Sequence, residues 1–327
     1  MDVRRLGKTG YEIGSIGFGA WAIGGSWGQV DDTASLRALH AAADAGVTFY
    51  DTADVYGDGH SERLISRFLR ERSGERLYVA TKAGRRVPQV AANYTAEALA
   101  GWIDRSRENL GVDRLDLLQL HCPPTDLYYR PEVFAALDGL VAAGAIAHYG
   151  VSVERVEEAL KAIEYPGVAS VQIVFNIVRQ RPAELFLAQA ARRDVGVLAR
   201  VPLASGLLTG KLTRSSTFAE TDHRAFNRHG ESFDVGETFA GLDYETGLEL
   251  VEELRPLVPS DATLAQLALR WILMFDAVSA AIPGARTPEQ ALANTAAADV
   301  PPLSPATMER IRELYQERAK PLVHQRW

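Results

Sequence analysis

The chain has 327 residues, 47% apolar and 24% charged, with a formal net charge of −7. This balance suits an ordinary globular protein and argues against a general nucleic-acid binder, which would usually be basic. A single cysteine, Cys122, excludes an intrachain disulfide, and nothing in the sequence resembles a Cys/His zinc pattern. There is no long apolar run and no signal-peptide core, so a cytoplasmic protein without a bound metal is expected.

In chain order, residues 3–14 place Gly7, Gly10 and Gly14 around short apolar pieces, which predicts a β-hairpin. Ser15-Ile16-Gly17-Phe18-Gly19 predicts a first core strand. A helix near 33–45 follows, with Asp32 at its start and Gly46 after its end. From there strand-like and helix-like runs alternate. Strands are predicted near 47–51, 76–81, 114–120, 146–151, 170–175, 195–200 and 277–282. Helices are predicted near 60–72, 95–110, 131–143, 153–164, 182–193, 244–257, 262–274, 287–297 and 305–318. Between them lies a long segment, 212–243, dense in Ser, Thr, Asp, Arg, His and Gly, as functional or mobile loops are.

Strands separated by helices imply right-handed crossovers and a parallel sheet. Eight such units suit an α/β (β/α)8 TIM barrel with an N-terminal β-hairpin and long loops at its C-terminal face. No linker marks a boundary, so residues 1–327 are expected to form one domain. The rival, a doubly wound sheet, would place a glycine-rich dinucleotide turn after the first strand. Gly17-Phe18-Gly19-Ala20-Trp21-Ala22 matches that turn poorly, and no helix begins there.

In such a barrel the active site lies at the C-terminal strand ends. Asp51, Lys82 and His121 end the second, third and fourth strands, and Tyr56 follows in the loop after the second. A phenol ordinarily loses its proton near pH 10. A nearby ammonium is expected to lower that value, a carboxylate to hold the ammonium, and an imidazole to orient a substrate oxygen. Carbonyl reduction is the chemistry this set suits. Each residue alone has a plainer reading: a helix cap, a packed tyrosine, a solvated lysine or a loop histidine.

The motifs Phe49-Tyr50-Asp51-Thr52-Ala53-Asp54-Val55-Tyr56-Gly57, Thr81-Lys82, Leu117-Leu118-Gln119-Leu120-His121 and Gly150-Val151-Ser152 resemble the signature of the aldo-keto reductase superfamily. The resemblance runs from Arg5-Leu6-Gly7 to the helix near 287–297. It implies a catalytic tetrad of Tyr56 as acid with Lys82, Asp51 and His121 in support. It also implies a nicotinamide cofactor, NADPH or NADP+ ahead of NADH, and no metal.

By position, Ser152 and Gln172 resemble the pair that bonds the nicotinamide carboxamide. Ala20, Trp21 and Asp51 border the same ring. The run Val201, Pro202, Leu203, Ser205, Gly206 to Lys211 resembles the loop that wraps the pyrophosphate. Gly284 and Arg286 resemble the 2′-phosphate site, and Gln290 and Asn294 the adenine contacts. Two departures stand out. Arg200 occupies a position where many members stack an aromatic ring on the nicotinamide, and Val153 stands where Asn or Arg is common.

The substrate side is expected to include Trp21, Trp27, Tyr56 and His121, with Val55, Tyr128, Tyr129 and the tail 323–327 nearby. A small carbonyl compound is the expected partner, and self-association into a homo-oligomer stays open. Three other functions fit parts of the sequence. One is a sugar or alcohol dehydrogenase using NAD(P)+. A second is a cofactor-sensing subunit resembling potassium-channel β-subunits, although those commonly carry Asn at the position of His121 and long N-terminal extensions. The third is an aldolase with Lys82 as a Schiff-base nucleophile.

Overall fold

The computed structural model describes residues 1–25 and 31–327. The opening hairpin pairs β1 (Val3–Arg5) with β2 (Glu12–Gly14), antiparallel. Eight strands then form one parallel sheet in chain order: β3 (Phe18–Gly19), β4 (Phe49–Asp51), β5 (Tyr78–Ala83), β6 (Leu115–His121), β7 (Ile146–Ser152), β8 (Val168–Val174), β9 (Gly196–Arg200) and β10 (Val278–Ala281). The two edges meet. Ile16 bridges Ala281 and Gly19 bridges Gly284, with the Gly17 N–H donating to the Ala281 carbonyl at 2.8 Å. The sheet is therefore curled into the expected barrel.

The helices are α1 (Asp32–Asp44), α2 (His60–Glu71), α3 (Ala96–Leu110), α4 (Pro131–Ala142), α5 (Val156–Ala162), α6 (Phe186–Arg192), α7 (His223–Phe226), α8 (Tyr244–Leu254), α9 (Leu264–Leu273), α10 (Pro288–Thr295), α11 (Pro305–Leu314) and α12 (Lys320–Val323), with α7 beside the C-terminal strand ends. Among the described residues no helix is long and apolar enough to cross a membrane.

The hairpin closes the N-terminal end of the barrel. Leu6, Tyr11 and Ile13 form one apolar cluster with Phe49, Ala80, Leu117 and Leu198 from four barrel strands. Side chains alternate faces along a strand. The residues two positions on therefore point into the same lumen, one layer nearer the C-terminal end. These are Asp51 after Phe49, Lys82 after Ala80, Gln119 after Leu117 and Arg200 after Leu198. An apolar floor thus carries a polar layer, and His121 stands one layer higher on β6.

The largest differences from the predicted elements are at helix starts and stops. The helix predicted from 153 begins at Val156 instead, because the Glu158 carboxylate accepts the N–H groups of Glu154 and Arg155 at 3.0 Å each. Pro256 lacks an N–H, and α8 gives way to a 3-10 turn at Arg255–Leu257. The helix predicted over 182–193 splits into a 3-10 turn at Arg181–Ala183 and α6, and the one predicted to 318 changes at Tyr315 into a π turn.

Apart from α7 and 3-10 turns at Val235–Glu237 and Phe239–Gly241, the segment 212–243 is ordered by side chains. Buried Asn227 accepts the N–H groups of Ser232 and Phe233 at 2.8 and 2.9 Å and donates to Thr238.

Candidate active site

Lys82 is 1% exposed and makes three bonds at once. Its Nζ donates to Asp51 Oδ2 at 2.6 Å, to the Thr52 carbonyl at 2.9 Å and to Tyr56 Oη at 3.2 Å. The other Asp51 oxygen accepts from Gln172 Nε2 at 2.7 Å and from Gln119 Nε2 at 3.2 Å. The carboxylate is thus fully engaged, which a buried charge requires. Its direct effect is to fix the ammonium against the phenol. Strand geometry makes this possible: β4 and β5 are paired, and Asp51 sits opposite Ala80, one rung below Lys82. The His121 ring lies 5.9 Å from the Tyr56 ring, nearly perpendicular to it.

Electrostatics differ from expectation at one group. Burial raises the Tyr56 phenol above its ordinary value, and the Lys82 ammonium only partly offsets this. The lowered phenol expected from the sequence is therefore corrected: withdrawal from water outweighs the neighbouring cation. Lys82 is held above its usual value because Asp51 and Tyr56 together outweigh its burial. His121 is pushed well below its ordinary value by burial and by Arg85, Lys82 and Arg200, so its imidazole is neutral at pH 7.

Asp51, Tyr56 and His121 open onto a cavity of about 630 Å3. It runs across the C-terminal strand ends from Trp21 to Arg286. Ser152, Gln172 and Arg200 line it beside the polar layer; Val201, Pro202, Leu203, Ser205, Gly206 and Lys211 line its middle; Gly284, Arg286, Gln290 and Asn294 line its far end. Val201, Ala204 and Ser205 have φ of 50°, 46° and 56°. Left-handed backbone at non-glycine residues is strained, most of all for a β-branched side chain, and tends to persist at functional sites.

Several expected residues also make structural contacts, and two stand back from the cavity. Lys82 lies behind the cavity wall, and Ala20 is buried between two lining residues, Gly19 and Trp21. Ser205 Oγ braces the long segment by donating to the Glu237 carbonyl and accepting from the Phe239 N–H. Gln290 Oε1 accepts from the Arg286 N–H and Asn294 Nδ2 donates to the Gly284 carbonyl, so both secure the loop before α10. Tyr128 is a core residue and Tyr129 is exposed; neither lines the cavity. Trp327 packs beneath the long segment, its Nε1 on Asp234 at 2.8 Å and its ring 3.8 Å from the Arg179 guanidinium, so the tail braces that segment from outside. Trp27 lies outside the described residues.

Arg200 is not a free platform. Its Nη2 donates to Glu154 at 2.7 Å and to the Val153 carbonyl at 3.1 Å. Glu154 and Glu237 also hold Arg85 at 3.0 and 2.8 Å. Cys122, Glu154 and Glu237 bring potential metal-ligand atoms within 4.8 Å of one another. Both carboxylates are already paired with arginines, and burial pushes the Cys122 thiol up to about 12, which suits a metal poorly.

Sequence reasoning missed Gln119, Arg224 and Glu237. Gln119 was detectable as a polar residue at inward register two positions before His121. Arg224 and Glu237 line the cavity from the long segment, which has no periodicity to read.

The aldo/keto reductase family model matches residues 15–316. The chain belongs to the aldo/keto reductase family. Aldo-keto reductase YhdN of Bacillus subtilis is 30% identical over 296 residues, covering 89% of this chain and 86% of that protein. A probable voltage-gated potassium channel subunit beta of Arabidopsis thaliana is 27% identical and covers 98% of both chains. Among solved structures, the glycerol dehydrogenase AKR11B4 from Gluconobacter oxydans superposes with a TM-score of 0.77 at 28% identity, covering 97% of this chain and 96% of that one. A reductase, a channel subunit and a dehydrogenase are thus all similar to this aldo/keto reductase.

Proposed function

We propose that this chain, acting as one unit over residues 1–327, reduces an aldehyde or ketone with NADPH and that Tyr56 donates the proton. The observation that carries the reading is Lys82 Nζ bonded to both Asp51 and Tyr56 Oη just behind the wall of a groove leading to Arg286.

The residues present fit the cofactor. Lys211, Arg224 and Arg286 place cations along the groove of a chain whose net charge is −7. Helix α10 begins beside Arg286 with Thr287 as its cap, and a helix N-terminus favours anions. Arg286 would pair with the 2′-phosphate, Gln290 and Asn294 would border the adenine, and Ser152 and Gln172 would face the carboxamide. Bound NADPH supplies the hydride.

The chain's own groups handle the proton. A phenol raised by burial is protonated at neutral pH, the form that can donate a proton. Tyr56 Oη passes its proton to the carbonyl oxygen as negative charge develops there. Lys82, 3.2 Å away, stabilises the phenolate left behind, and Asp51 keeps Lys82 charged and in place. Neutral His121 donates a hydrogen bond that orients the substrate oxygen. Its presence favours an enzyme over a purely regulatory subunit.

The test is NADPH oxidation followed across a panel of aldehydes and ketones. Carbonyl-dependent oxidation is expected, with turnover reduced in His121→Asn. NADPH binding without turnover on any carbonyl would favour the regulatory reading instead.

A further inference from the structure

Arg85, Glu154, Arg200 and Glu237 form a ring of ion pairs with one long edge. Three edges are tight: Arg85–Glu154 at 3.0 Å, Glu154–Arg200 at 2.7 Å and Glu237–Arg85 at 2.8 Å. The fourth, Arg200 Nη1 to Glu237 Oε2, is 3.7 Å, too long for a hydrogen bond. Of the four residues, Arg200 and Glu237 line the groove and Arg85 and Glu154 do not, so the open edge is the one toward the cavity. Arg200 is 7% exposed, and its Nη1 has the 3.7 Å contact to Glu237 in place of a hydrogen bond. A guanidinium donor and a carboxylate acceptor thus stand side by side at the wall, each with bonding capacity left.

We propose that this open edge binds a hydroxyl group of the substrate, so that Arg200 and Glu237 select hydroxylated aldehydes or ketones over plain ones. The inference rests on the reductase reading above. One oxygen can sit about 2.8 Å from both atoms across a 3.7 Å gap, accepting from Arg200 and donating to Glu237. Water meets the same need only while no substrate is present. An unhydroxylated substrate displaces that water without replacing its bonds, which costs affinity.

The test compares carbonyl compounds matched except for hydroxyls, glycolaldehyde against acetaldehyde and glyceraldehyde against propanal, at saturating NADPH. Rates are expressed per free aldehyde. Hydrogen bonds to charged groups predict a preference of about tenfold or more in kcat/KM for the hydroxylated member. The preference should collapse in Glu237→Gln and in Arg200→Lys. Because it is a ratio within each protein, a general loss of folding or turnover cancels. Equal kcat/KM for both members in the wild type, or a preference that survives both substitutions, would overturn the proposal and leave the ring a structural brace.

If none of the four aldehydes is reduced, the reductase reading fails for these substrates, and the hydroxyl site is decided by binding alone. Saturation-transfer NMR would compare glycerol with 1-propanol. Stronger transfer to glycerol that disappears in Glu237→Gln supports the site, and equal transfer refutes it.

Discussion

The two ends of the groove are built differently. At the tetrad end the charges are buried and already paired: Lys82 and Asp51 have side chains 1% and 5% exposed, and Gln119 and Gln172 complete the carboxylate. At the far end Lys211 and Gln290 are exposed, Arg286 is half-buried, and the loop is secured by its own backbone bonds to Gln290 and Asn294. The first end is organised before any ligand arrives, as stabilisation of a developing charge demands. The second keeps its cations near water, where an anion can reach them. Substitutions at the tetrad end should therefore disturb stability and turnover together, and those at the far end cofactor affinity alone.

The largest effect should come from Lys82→Met. Removing the ammonium leaves Asp51 charged, buried and unpaired, a loss of about 3–5 kcal/mol in unfolding free energy. Turnover should fall at least about a hundredfold, the low end for loss of acid–base assistance. Urea unfolding and steady-state kinetics check both. Full stability in this variant would mean that the tetrad is not preorganised in the way described.

Asp54 sharpens the same contrast. Burial, with Glu62 nearby, raises its carboxyl from 3.8 to about 7. A raised carboxyl keeps its proton in the folded state after the unfolded chain has released it. Its contribution is therefore fully present below about pH 4 and lost as pH rises through about 7. Asp54→Asn should flatten this part of the stability profile and exceed the wild type above pH 7 by on the order of 4 kcal/mol. Thermal or urea melts from pH 5 to 8.5 measure it, and parallel wild-type and variant profiles would count against the buried carboxyl.

Arg286→Ala should be the mildest. NADPH affinity is expected to weaken about ten- to a hundredfold, in line with losing a charged hydrogen bond, with little change for NADH. Unfolding free energy should stay within about 0.5 kcal/mol of the wild type. Fluorescence titration of both cofactors decides it, since an equal loss for the two would remove the 2′-phosphate from the assignment.

The contrast also explains what can be read from the sequence. Asp51, Lys82 and His121 are legible because each ends an apolar run, and parallel strands bring their C-terminal ends together. The barrel follows from the alternation of strands and helices. The ring at Arg200 is not legible, because Arg85 meets Glu154 across 69 positions and Glu237 across 152, the latter in a segment without periodicity. By position alone Arg200 therefore resembles a nicotinamide platform, not a member of an ion-pair ring. The start of α5 escapes the sequence pattern because Glu158 caps it from inside the helix. The raised phenol escapes it too, because how far Tyr56 is withdrawn from water depends on the whole fold.

The central claim, that Tyr56 supplies the proton in a site whose cofactor groove is built independently of it, is tested most directly by Tyr56→Phe. NADPH binding, followed by fluorescence, should match the wild type, while carbonyl-dependent NADPH oxidation falls by about two to four orders of magnitude. Turnover near the wild-type rate with NADPH still bound would contradict it.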